Sequence, residues 1–329
     1  MPAQAADVTD VAVTATGEYE CKVYYQDTTG VICESIHLVS GWKHTTTSTF
    51  SAKPASPIAA ISFDSGNQVP GALNKSRFSV SPTSKVAAQY WAFKNNIRVY
   101  VQGSDGKIQE YVYDDDNGWR KGATLPVAQD GSSLAAQRWE RESRSCIRVY
   151  YIAPDSTVKE HCYENGRWFA GEFNIPEIPP YSSITSTAWA DTGVSIRVWL
   201  QDSSNKIAAY RNDGGWNYEG TVMGPLRPGR SISSLEWKNG TELRIFYHAD
   251  DGKIREKAQT QAGAWYEGEG IPKGDVRPIE QFWKFAAECY GRQADTNWRK
   301  WSTRDVSEML SGHHLTGPIW GLGEVLGRF

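Results

Sequence analysis

At 329 residues the chain can hold one large domain or two ordinary ones, and its 14 tryptophans and 16 tyrosines exceed what an ordinary 40% hydrophobic content needs for a core. A net charge of −3 gives no electrostatic case for nucleic acid or an anionic membrane, and no apolar run approaches the length of a membrane span. The five cysteines, Cys21, Cys33, Cys146, Cys162 and Cys289, show no C-x-x-C spacing, so no disulfide framework, zinc site or cofactor is expected. Buried free thiols are the expected state, although Cys21 and Cys33 could face each other on neighbouring strands.

The start, "MPAQAADVTD", has neither a basic n-region nor an apolar h-region. The expectation is a cytoplasmic protein, or one released by a non-classical route. Residues 8–57 then hold a first unit, "CKVYYQDTTGVICESIHLVSGWKH". Residues 58–132 hold a second, "IRVYVQGSDGKIQEYVYDDDNGWRKG", preceded by a Gly-, Pro-, Ser- and Asn-rich stretch over 64–85 that reads as an insertion. Residues 133–183 and 184–231 repeat it as "IRVYYIAPDSTVKEHCYENGRWFAG" and "IRVWLQDSSNKIAAYRNDGGWNYEG". Residues 232–278 give "LRIFYHADDGKIREKAQTQAGAWYEG", and 279–329 are a degenerate copy.

The repeat sets the fold class. Trp119, Trp168, Trp216 and Trp265 are 49, 48 and 49 residues apart, and Arg98, Arg148, Arg197 and Arg244 are 50, 49 and 47 apart. A third landmark, the segments "VAAQYW", "LAAQRW", "TSTAW" and "SSLEW", keeps the same step. Each copy reads as four short strands. "SLAAQRW" is the first, "IRVYYI" alternates as the second, "VKEHCY" is the third and "WFAGEF" the fourth, with turns at "APDST" and "ENGR". No long helical periodicity interrupts them. Four antiparallel strands in about 48 residues is the arithmetic of a β-propeller blade. The prediction is an all-β fold, one six-bladed β-propeller over 1–329. An extra half-blade near 58–85 would make seven.

The recurring residues have a chemical reading. Arg on strand two and Glu on strand three stand 12 residues apart at Arg98 and Glu110, Arg148 and Glu160, and Arg244 and Glu256. A short turn places such positions on one face, where a fork of donors meets a carboxylate acceptor. A tryptophan at the start of the outer strand adds an apolar plane. That set suits a small polyhydroxylated ligand, with hydroxyls on Arg and Glu and the apolar sugar face on indole. The same residues could serve as cross-strand ion pairs and blade packing alone. Unequal loss between copies favours the ligand. Ala209 replaces Glu beside Arg197, Lys22 replaces Arg beside Glu34, and Cys289 and Lys300 stand in the last copy.

The pattern "IRVYYQ…D.KI.E…GGW..G" resembles the fungal fucose-binding lectins of the Aleuria aurantia type, well over 8–278 and weakly over 279–329. The resemblance implies L-fucose pockets between adjacent blades. Arg and Glu of one blade would bind the sugar, and the next would supply the fourth-strand Trp and an aromatic three residues after its own Glu. Between blades two and three this gives Arg98, Glu110, Tyr163 and Trp168. Between three and four it gives Arg148, Glu160 and Trp216, with Asn212 in place of the aromatic. Between five and six it gives Arg244 and Glu256, walled by Trp320. Between one and two, Glu34 meets Tyr113 and Trp119, but Lys22 offers a point charge instead of a fork. Between four and five, Arg197 and Trp265 lack the carboxylate, so no binding is expected there. The implied partners are L-fucose and fucosylated glycans or glycoproteins, without nucleic acid or membrane insertion, and a homodimer stays open.

Two rival functions fit less well. Glycoside hydrolysis needs two carboxylates across one pocket, about 5–9.5 Å apart. The repeat supplies one, paired with an Arg that opposes its protonation. The run Asp114-Asp115-Asp116 reads as turn chemistry, and no HExxH or GxSxG pattern occurs. A protein-interaction propeller would read partners through broad surfaces, whereas these clusters have the size of a monosaccharide.

Overall fold

A computed structural model describes residues 9–268, apart from 62–78 and short stretches at 18–19, 28–30, 39, 54, 92–95, 143, 191–192, 251 and 261–262. These residues form five four-stranded sheets, each built from consecutive strands. Sheet one holds β1 (Val11–Gly17), β2 (Glu20–Gln26), β3 (Val31–Leu38) and β4 (Gly41–Ser51). Sheet two holds β5 (Val86–Trp91), β6 (Asn96–Gln102), β7 (Lys107–Tyr113) and β8 (Arg120–Val127). Sheet three holds β9 (Leu134–Arg141), β10 (Arg144–Ile152), β11 (Val158–Glu164) and β12 (Arg167–Ile175). Sheet four holds β13 (Ile184–Ala190), β14 (Val194–Gln201), β15 (Ile207–Asn212) and β16 (Trp216–Met223). Sheet five holds β17 (Ile232–Trp237), β18 (Glu242–His248), β19 (Ile254–Thr260) and β20 (Tyr266–Glu267).

Alternation on the second strand gives each sheet two buried faces. In β6, Ile97, Val99 and Val101 pack with Ala88 and Ala59 on one side. Tyr100 turns the other way, onto Ala136, Ile147 and Val149 of sheet three. A strand's period of two therefore puts Arg98, Tyr100 and, across the hairpin, Glu110 on the face that meets the next sheet. The hairpin between strands two and three turns through a left-handed residue at the same place in four copies. It is Gly106 (φ 78), Ser156 (φ 59), Asn205 (φ 61) and Gly252 (φ 79). Gly and Asn accept that conformation readily, which explains their recurrence there.

The sheets stand around an axis with their first strands innermost. β5 meets β9, β9 meets β13, β13 meets β17, and β17 meets β1. Side chains tie these strands together. Gln89 Nε2 donates to Ala136 O at 2.6 Å, Ser234 N to Thr185 Oγ1 at 3.0 Å, and Val11 N to Ser231 Oγ at 3.0 Å. A central cavity of about 710 Å³ runs between them.

One position in the ring has no sheet among the described residues. Ile58 packs with Ala12, Tyr24 and Ile32 of sheet one, while Ala59 and Ile61 pack against sheet two. Lys85 Nζ reaches Asp10 Oδ1 across the same gap at 2.6 Å. The stretch 58–61 thus takes the place of an inner strand between β1 and β5. The sequence reading merged 58–132 into one blade and put 279–329 between sheets five and one. Instead, sheet one packs directly on sheet five through Val13, Val23, Leu235 and Phe246. Residues 279–329, with Trp320 and Cys289, lie outside the described residues, as does most of 64–85. Cys21, Cys33, Cys146 and Cys162 are free thiols, and Cys21 lies opposite His37, not Cys33.

Candidate functional site

The Arg–Glu pairs form, although not as direct cross-strand neighbours. The residue facing Glu110 in register is Tyr100, and the one facing Glu160 is Tyr150. The Arg sits two residues earlier on the same face and reaches the carboxylate diagonally. Arg98 Nε lies 3.6 Å from Glu110 Oε1, Arg148 Nε 3.5 Å from Glu160 Oε1, and Arg244 Nε 2.8 Å from Glu256 Oε1. In sheet one, Lys22 Nζ stands 3.2 Å from Glu34 Oε2.

Each guanidinium is held from several sides. Its Nη1 donates at 3.0 Å to the preceding carbonyl, on Ile97, Ile147, Ile196 or Leu243. Its Cζ lies over the ring of a tryptophan near the end of the first strand. The distances are 4.7 Å for Arg98 on Trp91, 4.8 Å for Arg148 on Trp139, 5.0 Å for Arg197 on Trp189 and 5.5 Å for Arg244 on Trp237. Three of the four Args also pair with a second carboxylate, Arg148 with Glu164, Arg197 with Asp213 and Arg244 with Glu242. Arg98 has the Asn96 amide there, at 3.5 Å. Burial pulls the Arg98 guanidinium below its ordinary value, against the charge of Glu110. Burial also opposes the Arg148 charge, but the hydrogen bond to Glu164 and nearby Cys162 and Glu160 carry it above its ordinary value.

The carboxylates are fixed as firmly. Tyr100, Tyr150 and Tyr24 donate their phenols to Glu110, Glu160 and Glu34 at 3.1, 2.9 and 2.8 Å. Ala123 N donates to Glu110 Oε2 at 3.0 Å. Gly122, Gly171 and Gly268 make room, since a Cβ at any of them would collide with the Glu110, Glu160 or Glu256 carboxyl group. Burial, reinforced by the adjacent carboxylate, holds the Tyr100 and Tyr150 phenols well above their ordinary range.

Arg98 and Glu110 open onto a cleft of about 660 Å³ between sheets two and three. Tyr163 lines it from sheet three, together with Arg144, Ser145 and Asn165. Trp91 and Arg120 complete the near side. Arg120 is placed there by Asp114, 2.5 Å away, whose Oδ1 also accepts Asn117 N at 2.9 Å to close the turn. Trp168 borders the cleft without lining it. It packs edge-on to Tyr100 at 6.2 Å, tilts against Tyr163 at 5.4 Å and stacks on His161 at 5.7 Å.

The other predicted residues divide into those brought together and those kept apart. Trp216 meets Tyr150 edge-on at 6.2 Å and Phe173 at 4.3 Å, beside Arg148 and Glu160. Asn212 is occupied in its turn, accepting from Gly215 N at 2.9 Å. Beside Arg244 and Glu256 the wall comes from sheet one. Trp42 meets Phe246 at 5.8 Å, and His37, three residues after Glu34, lies 6.3 Å from Trp237. Trp42 thus stands where Trp320 was expected. Tyr113 and Trp119 pair at 5.4 Å but pack with Ala59 and Ile61, so 58–61 stands between them and Glu34. The residues that sequence reasoning passed over are the strand-two tyrosines, the strand-one tryptophans and the strand-four glycines. Each recurs at the period of the repeat.

Comparison with known proteins shows the family and the fold. The family model described as fungal fucose-specific lectin matches residues 63–192 and 141–279. A fucose-specific lectin of Aspergillus fumigatus is 32% identical over 264 residues, covering 69% of this chain and 83% of that protein. Another, from Aspergillus oryzae, is 32% identical over 185 residues, and the match covers 53% of this chain and 58% of the relative. The crystal structure of the Aleuria aurantia lectin, a six-bladed β-propeller, superposes with a TM-score of 0.69 at 26% identity, covering 81% of this chain and 96% of that one. A form of that lectin, 25% identical, is also solved in complex with α-methyl-L-fucoside. The chain belongs to the fungal fucose-specific lectin family.

Proposed function

We propose that the protein is a lectin that binds L-fucose and fucosylated glycans through non-identical pockets between adjacent sheets. The observation that carries this reading is the cleft of about 660 Å³ where Arg98 and Glu110 of one sheet face Tyr163 of the next. Arg98 offers N–H donors to sugar oxygens, and the Glu110 carboxylate accepts from a hydroxyl. Tyr163 presents an aromatic face to C–H groups of the sugar. All three are held before ligand arrives, so little ordering cost opposes binding. Glu110 is the one carboxylate among the lining residues, so the cleft has no acid–base pair for glycoside hydrolysis.

Single pockets of this kind bind modestly, and several on one ring convert that into avidity for dense glycans. The pairs Arg148–Glu160 beside Trp216 and Arg244–Glu256 beside Trp42 repeat the arrangement. At Glu34 the arrangement is not repeated, since Lys22 replaces the arginine and 58–61 separates the carboxylate from Tyr113 and Trp119. The test is capture on an immobilised fucosylated glycoprotein. Free L-fucose should release the protein, and D-mannose at equal concentration should leave it bound. Release by neither sugar overturns the reading.

A further inference from the structure

Sheet four departs from the repeat in three linked ways. Trp199 stands where Tyr100 and Tyr150 stand, Ala209 faces it in register, and Glu219, three residues after Trp216, stands where Gly122, Gly171 and Gly268 follow Trp119, Trp168 and Trp265. The larger indole takes the volume that a glutamate would need. The bulge is visible in the pairing, since Ala209 faces Gly220 and Tyr210 faces Tyr218, leaving Glu219 without a register partner in β15, although its Oε1 also lies 3.8 Å from Arg211 Nε. Bulges bend a strand and re-aim the extra side chain. The same irregularity leaves Gly122 unpaired in β8 and Gly171 in β12, whereas in β16 it leaves a carboxylate. Glu219 Oε2 lies 3.3 Å from Arg197 Nε, the atom that faces Glu110, Glu160 and Glu256 in the other copies.

The arginine seat and the tryptophan wall keep the repeat's geometry, while Gln259 stands where Tyr163 lines the first cleft and Asp213 also pairs with Arg197. Arg197 keeps its stack on Trp189 and its bond to the Ile196 carbonyl. Trp265 meets Trp199 edge-on at 6.1 Å, matching the 6.2 Å of Trp168 on Tyr100 and of Trp216 on Tyr150. Glu219 keeps 31% of its side-chain surface exposed, so a ligand can reach it. We propose that Arg197, Glu219 and Trp265 form a further sugar pocket between sheets four and five, with its carboxylate moved from strand three to strand four. The inference rests on the fucoside reading of the other pockets, and it reverses the expectation that Ala209 leaves this one empty.

The test is calorimetric titration of the full chain with α-methyl-L-fucoside. In an Arg98→Ala/Arg148→Ala/Arg244→Ala variant, about one equivalent should still bind, and adding Glu219→Ala should weaken it about tenfold or more. In the otherwise unaltered chain, Glu219→Ala alone should lower the site count by one and leave the remaining affinities unchanged. This second measurement decides the matter if the triple variant does not fold. A folded triple variant with no binding, while the unaltered chain binds, overturns this pocket and leaves the lectin reading standing. Residual binding that ignores Glu219→Ala also overturns it. No binding by the unaltered chain overturns the lectin reading itself, and this inference with it.

Discussion

The phenol of Tyr100 donates to Glu110 Oε1 at 3.1 Å. In sheet five the matching residue is Phe246, which has no hydroxyl, and there Arg244 closes on Glu256 to 2.8 Å against 3.6 Å for Arg98 on Glu110. The tyrosine therefore shares the carboxylate with the arginine and leaves the guanidinium less committed to it. Tyr100→Phe should cost about 1.5–3 kcal/mol of stability, as expected for a hydrogen bond to a charged group. It should also weaken fucose binding several-fold at that one pocket. Denaturant unfolding and calorimetry check both.

Gly122 and Gly171 test the seating of the carboxylates. A methyl group at either meets Glu110 or Glu160 head-on, so the Glu must swing away or the outer strand must shift. Gly122→Ala is expected to lose fucose at the first pocket by about tenfold or more while the protein stays folded. Gly215→Ala, where a Cβ meets open space, is the control that should leave site number unchanged.

Two guanidinium groups lie over the Trp91 ring, Arg98 at 4.7 Å and Arg138 of sheet three at 5.1 Å. Trp91→Leu keeps an apolar side chain but removes the π face, a loss of about 0.5–2 kcal/mol per cation. Arg98 should then lose its fixed orientation, and fucose affinity at the first cleft should fall with little change at the Arg244 pocket. Site-resolved titration by NMR separates the two.

The buried tyrosines set an alkaline limit. An unfolded tyrosine ionises near pH ~10. Burial beside Glu110 or Glu160 holds the folded Tyr100 and Tyr150 phenols well above that. Above about pH 10 the folded state binds more protons than the unfolded one, so stability falls as pH rises. The contribution is fully present below that pH and is lost as the solution approaches the folded value. Melting curves between about pH 8 and 11 should show a shallower alkaline fall for Tyr100→Phe/Tyr150→Phe than for the unaltered protein. Parallel curves would contradict this.

Much of this molecule was readable from the repeat, and the misreadings have physical causes. The positions of Arg98, Arg148 and Arg244 on strand two and of their glutamates on strand three followed from alternation and turn length. The direct partner of each glutamate did not, because register in a hairpin depends on the exact turn, and a two-residue offset put Tyr100 where Arg98 was expected. Trp91 and its counterparts were used as landmarks for strand one. Their contact with Arg comes from neighbouring strands of one sheet, which no linear spacing displays. The neighbour of sheet five was misassigned because chain order suggested 279–329. Ring closure depends on which surfaces meet, and Trp42 of sheet one meets Phe246. Glu219 stands in strand four, at the place three residues after the tryptophan where the other copies have glycine, and not at the strand-three place where the repeat puts its carboxylate.

The most direct test of the account is calorimetric titration of the purified protein with L-fucose, beside a control carrying Arg98→Ala and Arg148→Ala. The account predicts more than one equivalent bound by the unaltered protein and a count reduced by two in the control, with the β-sheet circular dichroism of both unchanged. A folded protein that takes up no fucose, or a control that binds as many equivalents as the unaltered chain, would contradict it.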